Sequence, residues 1–147
     1  MAIMTGGQAM VESLKAQGVD TVFGIISIHT LDLYDALFDS QDSLRFIGGR
    51  QELGCGFMAD GYARATGKPG VLFVTRGPGA TNASSGIHVA KHDSTPMVVF
   101  VGQVARDHRD RDAFQEVDFR AMFGPLAKWV AQIDATNRIA EYVRPAF

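Results

Sequence analysis

Four short apolar runs frame the chain: TVFGII at 21–26, LRFI at 44–47, VLFVT at 71–75 and MVVFV at 97–101. Each is close to continuously apolar rather than alternating, the pattern of a strand buried on both faces. Segments with apolar residues at helical spacing separate them. Gly7–Gln17 carries Ala9, Met10, Leu14 and Ala16 and is ended by Gly18. Leu31–Phe38 has Thr30 as its expected cap, and Gln51–Thr66 is ended by Gly67 and Pro69. Ala80–Lys91 follows the turn Gly77-Pro78-Gly79. Strands alternating with helices predict a three-layer α/β domain, a mainly parallel sheet with helices on both faces. Trp129–Ile133 is expected as a further strand, and Asn137 as the cap of a last helix that breaks off at Phe147. That ending reads as a piece cut from a longer chain, so residues 1–147 are expected to be one domain of a larger protein.

Composition narrows the function classes. The 14 basic and 16 acidic residues are mixed along the chain and leave a net charge of −2, which gives no footprint for nucleic acid or an anionic membrane. No apolar run reaches the length of a membrane span. Met1–Met10 has neither a basic nor an apolar leader segment. One cysteine, Cys55, excludes an intrachain disulfide and fits a reducing, cytoplasmic setting.

In a parallel sheet the ligand site lies at the carboxyl ends of the strands. The loops to inspect are therefore 27–30, 48–52, 76–82 and 102–116. Glu52 opens a helix directly after a strand. Position alone explains it as an acid complementing the helix dipole. The helix behind it holds Gly54, Gly56 and Gly61, each unfavourable by roughly 1 kcal/mol relative to alanine. Gly54, Met58, Gly61 and Ala65 share one face. Such a helix needs a close neighbour, either its own sheet or a second subunit. The turn Arg76–Asn82 is glycine-rich but fits neither the P-loop nor the dinucleotide fingerprint. Gln103 and Gln115 sit in loops where an amide can meet a ligand or simply face water. His88 and His92 have zinc-like spacing without a third ligand. The run Arg106–Asp112 alternates in sign as a solvated loop does.

Several of these segments together resemble a known family. Arg50-Gln51-Glu52, Met58–Gly70 (MADGYARATGKPG), Gly77–Asn82 (GPGATN), Gly102-Gln103-Val104 and Ala113-Phe114-Gln115-Glu116 are similar, in order and spacing, to the N-terminal, pyrimidine-binding domain of thiamine-diphosphate enzymes, most closely the acetolactate-synthase-like group. The resemblance implies the thiamine-diphosphate-binding fold and places Glu52 against the N1′ nitrogen of the cofactor's aminopyrimidine. A buried carboxyl there shares a proton with N1′, and the 4′-imine so favoured takes the C2 proton of the thiazolium.

By the same resemblance Asn82 and Gln103 lie near the cofactor, and Phe114 and Gln115 line the substrate side. His29, in a loop that departs from the family's Pro-Gly, is either a further substrate-side candidate or a helix-capping or structural histidine. Gln51 replaces a histidine common in relatives. Lys128 receives no catalytic role. The family's diphosphate–magnesium motif is absent, since Ala59-Asp60-Gly61 lacks its spacing; magnesium and diphosphate are therefore expected on another domain, supplied by a second subunit of a homo-oligomer. The implied chemistry is decarboxylation of 2-oxo acids with carbon–carbon bond formation. Simple decarboxylation, a non-catalytic assembly role and a split enzyme remain alternatives, and a flavin in the parent enzyme is compatible with the resemblance.

Overall fold

The computed structural model describes residues 3–147. Four strands form one sheet in the order β2-β1-β3-β4: β1 (Thr21–Gly24), β2 (Arg45–Gly48), β3 (Gly70–Val74) and β4 (Met97–Val101). All three pairings are parallel, with Val22 opposite Phe46, Phe23 opposite Leu72 and Leu72 opposite Val99. β3 is buried along its whole length, as its unbroken apolar run requires.

Two cores flank the sheet and make three layers. On one face α1 (Gly6–Ala16), α2 (Leu31–Phe38) and the short α6 (Ile139–Val143) pack Val11, Leu14, Leu37 and Val143 against Val22, Val71 and Phe73. On the other, α3 (Glu52–Thr66), α4 (Pro78–His92) and α5 (Phe119–Phe123) pack Cys55, Ala59, Ala83, Ile87 and Phe123 against Phe23, Leu72 and Val74. The alternation of Val71 and Phe73 with Leu72 and Val74 between the two cores follows from the period of two along a strand.

The expected α/β layers are present, and the sheet is wholly parallel. Several local expectations shift. α1 is closed by a capping box, with Thr5 and Gln8 bonding reciprocally across the first turn. Thr30 stands at the expected N-cap position of α2, but its side chain makes no capping bond: its hydroxyl pairs with Ser27 at 2.7 Å, because a 3-10 turn, Ile28–Thr30, comes first. α4 starts at Pro78 rather than Ala80, which suits a residue with no N–H to leave unpaired. Trp129–Ile133 is not a strand. It forms no ladder among the described residues; Val130 and Ile133 instead pack into opposite cores. Asn137 lies inside a 3-10 turn, Thr136–Arg138, and caps nothing.

The glycines of α3 divide by face. A Cβ on Gly86 of α4 would come within 2.8 Å of the Gly56 carbonyl carbon, so α3 and α4 cross in near-backbone contact at this pair. Gly54 and Gly61 meet nothing within 4 Å. The face they share with Phe57, itself 44% exposed, is open in this chain. Close packing within the chain therefore explains Gly56 but not Gly54 or Gly61.

Candidate active site at the strand tips

The chain winds outward from β1 to β2 and then, beyond β3, to β4 on the other side. The switch lies between β1 and β3, where adjoining loops diverge and leave a crevice at their carboxyl ends. His29, Glu52, Thr75 and Gln103 each follow one of the four strands, so the topology gathers them at this end.

Glu52 is the first residue of α3 and is half-buried. Its Oε2 accepts a hydrogen bond of 3.1 Å from Nδ2 of Asn82, on α4. The near-contact of Gly56 with Gly86 fixes the two helices that carry this pair. Oε1 accepts no hydrogen bond among the described residues. It lies 3.7 Å from where a Cβ on Gly79 would stand, and that same Cβ would be 2.5 Å from Cγ2 of Thr75. Any side chain at 79 would fill the space in front of the carboxylate. Gly77 adopts φ 55° and ψ −115°, a conformation that strongly favours glycine, and a Cβ there would strike Gln115 at 2.8 Å. The turn is thus shaped by clearance on both sides.

Across the switch, Nδ1 of His29 and Oγ1 of Thr75 are 2.8 Å apart, joining the loop after β1 to the tip of β3. Burial, and then the nearby Arg76 guanidinium, hold the imidazole below its usual 6.5. Gln103 spends its amide on its own loop: Nε2 donates to the Val117 carbonyl at 3.0 Å and Oε1 accepts from the Val104 N–H at 2.9 Å. One N–H of that amide remains. Phe114 is 74% exposed beside the crevice, and Gln115, at φ 62°, meets Gly77 through its backbone. Glu116 ties the loop down by accepting from the N–H groups of Asp110 and Ala113, and these bonds hold its carboxyl below the usual range.

The structure therefore brings Glu52 and Asn82 into one contact and His29 and Thr75 into another, with Gly79 between Thr75 and Glu52. Gln103 is a brace for its loop, and Phe114 stands at the rim. Thr75 was missed by sequence reasoning, and Arg76 stood out only as the first residue of the glycine-rich turn. The signal for both was the end of the VLFVT run, where polar residues take over at a strand tip.

Other groups assemble elsewhere. His88 and His92 lie on the exposed face of α4 with ring centroids 4.4 Å apart and planes tilted by 44°, and among the described residues no three His, Cys, Asp or Glu side chains stand together as a metal site. A cleft lined by Asp20, Tyr62, Lys68 and Phe147 lies at the opposite end of the sheet. Its charges satisfy one another, with Asp20 accepting from Tyr62 at 2.6 Å and from Lys68. No described helix is long and apolar enough to cross a membrane.

Comparison with known proteins covers nearly the whole chain. Residues 4–122 match the family described as thiamine pyrophosphate enzyme, N-terminal TPP binding domain. The mitochondrial acetolactate synthase catalytic subunit of Saccharomyces cerevisiae is 43% identical over 144 residues, 98% of this chain and 21% of that protein. The acetolactate synthase large subunit of Buchnera aphidicola from Acyrthosiphon pisum is 44% identical over 147 residues, 100% of this chain and 26% of its own length. A probable acetolactate synthase large subunit of Methanococcus aeolicus is 44% identical over 144 residues, 98% of this chain and 24% of that protein. The chain thus spans about a fifth to a quarter of the relatives it matches.

Proposed function

The chain belongs to the thiamine pyrophosphate enzymes, as their N-terminal TPP-binding domain, and we propose that it is the pyrimidine-binding part of an acetolactate-synthase-like enzyme acting on 2-oxo acids. The observation that carries this reading is the Glu52 carboxylate, anchored through Oε2 by Asn82 and left free at Oε1 beside Gly79.

That arrangement fits an aminopyrimidine. Oε1 accepts no hydrogen bond from the described residues and has a glycine, Gly79, beside it, and a ring nitrogen placed there would share a proton with it. Asn82 orients the carboxylate, so that the proton is held at one oxygen. Gly79 keeps the approach clear, and the amide of Gln103 retains one N–H at the neighbouring tip. When bound, the cofactor supplies the carbon that adds to the substrate's keto group and accepts the electrons freed by loss of carbon dioxide. The protein's part is to position, to exclude water and to govern one proton.

Half-burial of Glu52 supports a second covering surface. So does the open face of α3, where Gly54 and Gly61 admit close approach and Phe57 is exposed. We assign that cover to a domain of a second subunit, which would also hold the diphosphate and its magnesium ion, in a homo-oligomer. A flavin in the parent enzyme is compatible with this assignment. The buried thiol of Cys55 fits a reducing compartment such as the cytoplasm.

The test is Glu52→Gln in the full-length enzyme. Product formation from pyruvate is expected to fall by roughly two to four orders of magnitude. Acetolactate as the wild-type product supports carboligation, and free acetaldehyde supports simple decarboxylation. Undiminished turnover by the variant would reject the role given to Glu52.

A further inference from the structure

Arg76 is the residue at the crevice that the cofactor reading leaves unused. It follows Thr75 at the tip of β3, beside the switch between β1 and β3. Its Nε is buried and has no hydrogen-bond partner, and among the described residues no carboxylate forms a salt bridge with it. A guanidinium donor shut away from water without an acceptor is costly, and such groups are normally satisfied by something. The surroundings are specific. A Cβ on Gly102 would lie 3.4 Å from each of the Arg76 backbone N, the His29 Cβ and the Thr30 Cγ2, so the Arg76 backbone and the His29 side chain meet at the tip of β4, and the Arg76 charge is close enough to lower the proton affinity of His29. His29 is tied to Thr75, and its lowered proton affinity leaves one cation and one neutral imidazole side by side at neutral pH. Ile26, Ile28 and Phe114 expose apolar surface at the same strand tips.

We propose that Arg76 binds a carboxylate that the substrate keeps through the reaction, with His29 as its neutral hydrogen-bonding neighbour. This rests on the reading of the site as a 2-oxo acid centre. The chemistry selects which carboxylate. One that leaves as carbon dioxide loses its charge on the way, so a fixed cation on it stabilises the starting state more than the transition state and slows the step. A cation suits a carboxylate that stays. In carboligation the C1–C2 bond of the donor breaks and carbon dioxide departs. The electron pair left at C2 forms a bond to the keto carbon of an acceptor, whose oxygen takes up a proton. The acceptor's carboxylate is unchanged throughout. A distal carboxylate on a dicarboxylic donor has the same property. A planar guanidinium binds either in a two-pronged contact.

The experiment compares the wild-type full-length enzyme with Arg76→Gln and Arg76→Lys, loaded with cofactor and magnesium. One arm uses pyruvate as donor and acceptor; the other uses 2-oxoglutarate as donor with an aldehyde acceptor lacking a carboxylate. Arg76→Gln is expected to raise the KM for the carboxylate-bearing partner at least about tenfold. Product should be diverted from acetolactate to free acetaldehyde, and Arg76→Lys should restore part of the affinity. An effect in the first arm identifies the acceptor, and one confined to the second identifies a distal acid group. No change in either KM, while Glu52→Gln still abolishes turnover, would overturn this proposal and leave the cofactor reading intact; an active Glu52→Gln enzyme would remove the reading beneath it. A measurement on the wild type guards against a variant that fails to fold. Phenylglyoxal modification of Arg76, mapped by peptide mass, should be slowed by oxamate, a pyruvate isostere that cannot lose carbon dioxide. Equal labelling with and without oxamate counts against the proposal.

Discussion

Replacing Gly86 by alanine tests how the helix crossing holds the site together. A methyl group at 86 would lie 2.8 Å from the Gly56 carbonyl carbon, 2.9 Å from its Cα and 3.2 Å from the Phe57 nitrogen. All three are backbone atoms, so no side chain can swing aside. α3 and α4 would have to part by several tenths of an ångström. Overpacking of this kind is unfavourable by about 1–3 kcal/mol, against which alanine gains about 1 kcal/mol over glycine in a helix. The net is a loss of up to about 2 kcal/mol. The reverse substitution, Gly56→Ala, is gentler, because its Cβ would sit 3.4 Å from the Ala83 oxygen and the Gly86 Cα. In the isolated chain Gly61→Ala meets nothing and should be stabilising by about 1 kcal/mol. The expected order of stability is Gly61→Ala, then Gly56→Ala, then Gly86→Ala. With about 3 °C per kcal/mol for a chain of this length, thermal melts followed by circular dichroism resolve the series. Gly86→Ala should also weaken cofactor binding in the full-length enzyme, since parting the helices separates Glu52 from Asn82. Should Gly86→Ala melt no lower than the parent, or Gly61→Ala fall as far as Gly86→Ala, the crossing is not where the structure puts it.

Three further outcomes follow from other parts of the chain. Asp20 is held down at about 2, first by its bond from Lys68 and then by Tyr62, against an ordinary 3.8. Its contribution is therefore complete above about 4 and disappears as the pH falls through 2. Asp20→Asn should flatten that part of an acid-denaturation curve, by less than about 1 kcal/mol because the pair is solvent-screened. Gly77→Ala sets a Cβ against Gln115 at a backbone angle of φ 55°, and should lower stability by about 2 kcal/mol or more in urea melts. The thiol of Cys55 is buried and pushed up by that burial, so its reaction with a disulfide reagent should proceed at the rate of unfolding and speed up with denaturant; immediate labelling of the folded chain would contradict its place under Gly49.

The sheet was legible because its signal is local. Unbroken apolar runs such as VLFVT can be buried on both faces only in a covered parallel sheet. The capping box is equally local, since Thr5 and Gln8 stand three residues apart. Thr30 shows the opposite limit: its type suits a cap, but Ser27 claims its hydroxyl once the chain turns early. Trp129–Ile133 reads as a strand because it is apolar, although a strand needs a partner and none accepts it. The glycines of α3 were noticed as a group. Which one touches α4 depends on the rotation of one helix against another, and that is fixed by tertiary packing. At the site, Glu52 could be picked out by position and by resemblance. The pairing of His29 with Thr75 could not, since the two are 46 residues apart and meet only through the pairing of β1 with β3.

The winding order separates two kinds of residue that many proteins mix. Strand bodies such as Val22, Leu72 and Phe73 are sealed in the cores, whereas Ile26 and Ile28, a few residues beyond β1, are 59% and 86% exposed. Exposed positions in loops 26–30 and 105–114, such as Ile26, Ile28 and Phe114, can therefore be rewritten, by an engineer or by descent, with little penalty to the scaffold that carries them. The sheet acts as a socket whose fittings are interchangeable, and new substrate preferences are best sought by varying those two loops while Glu52, Gly79 and Asn82 are left alone.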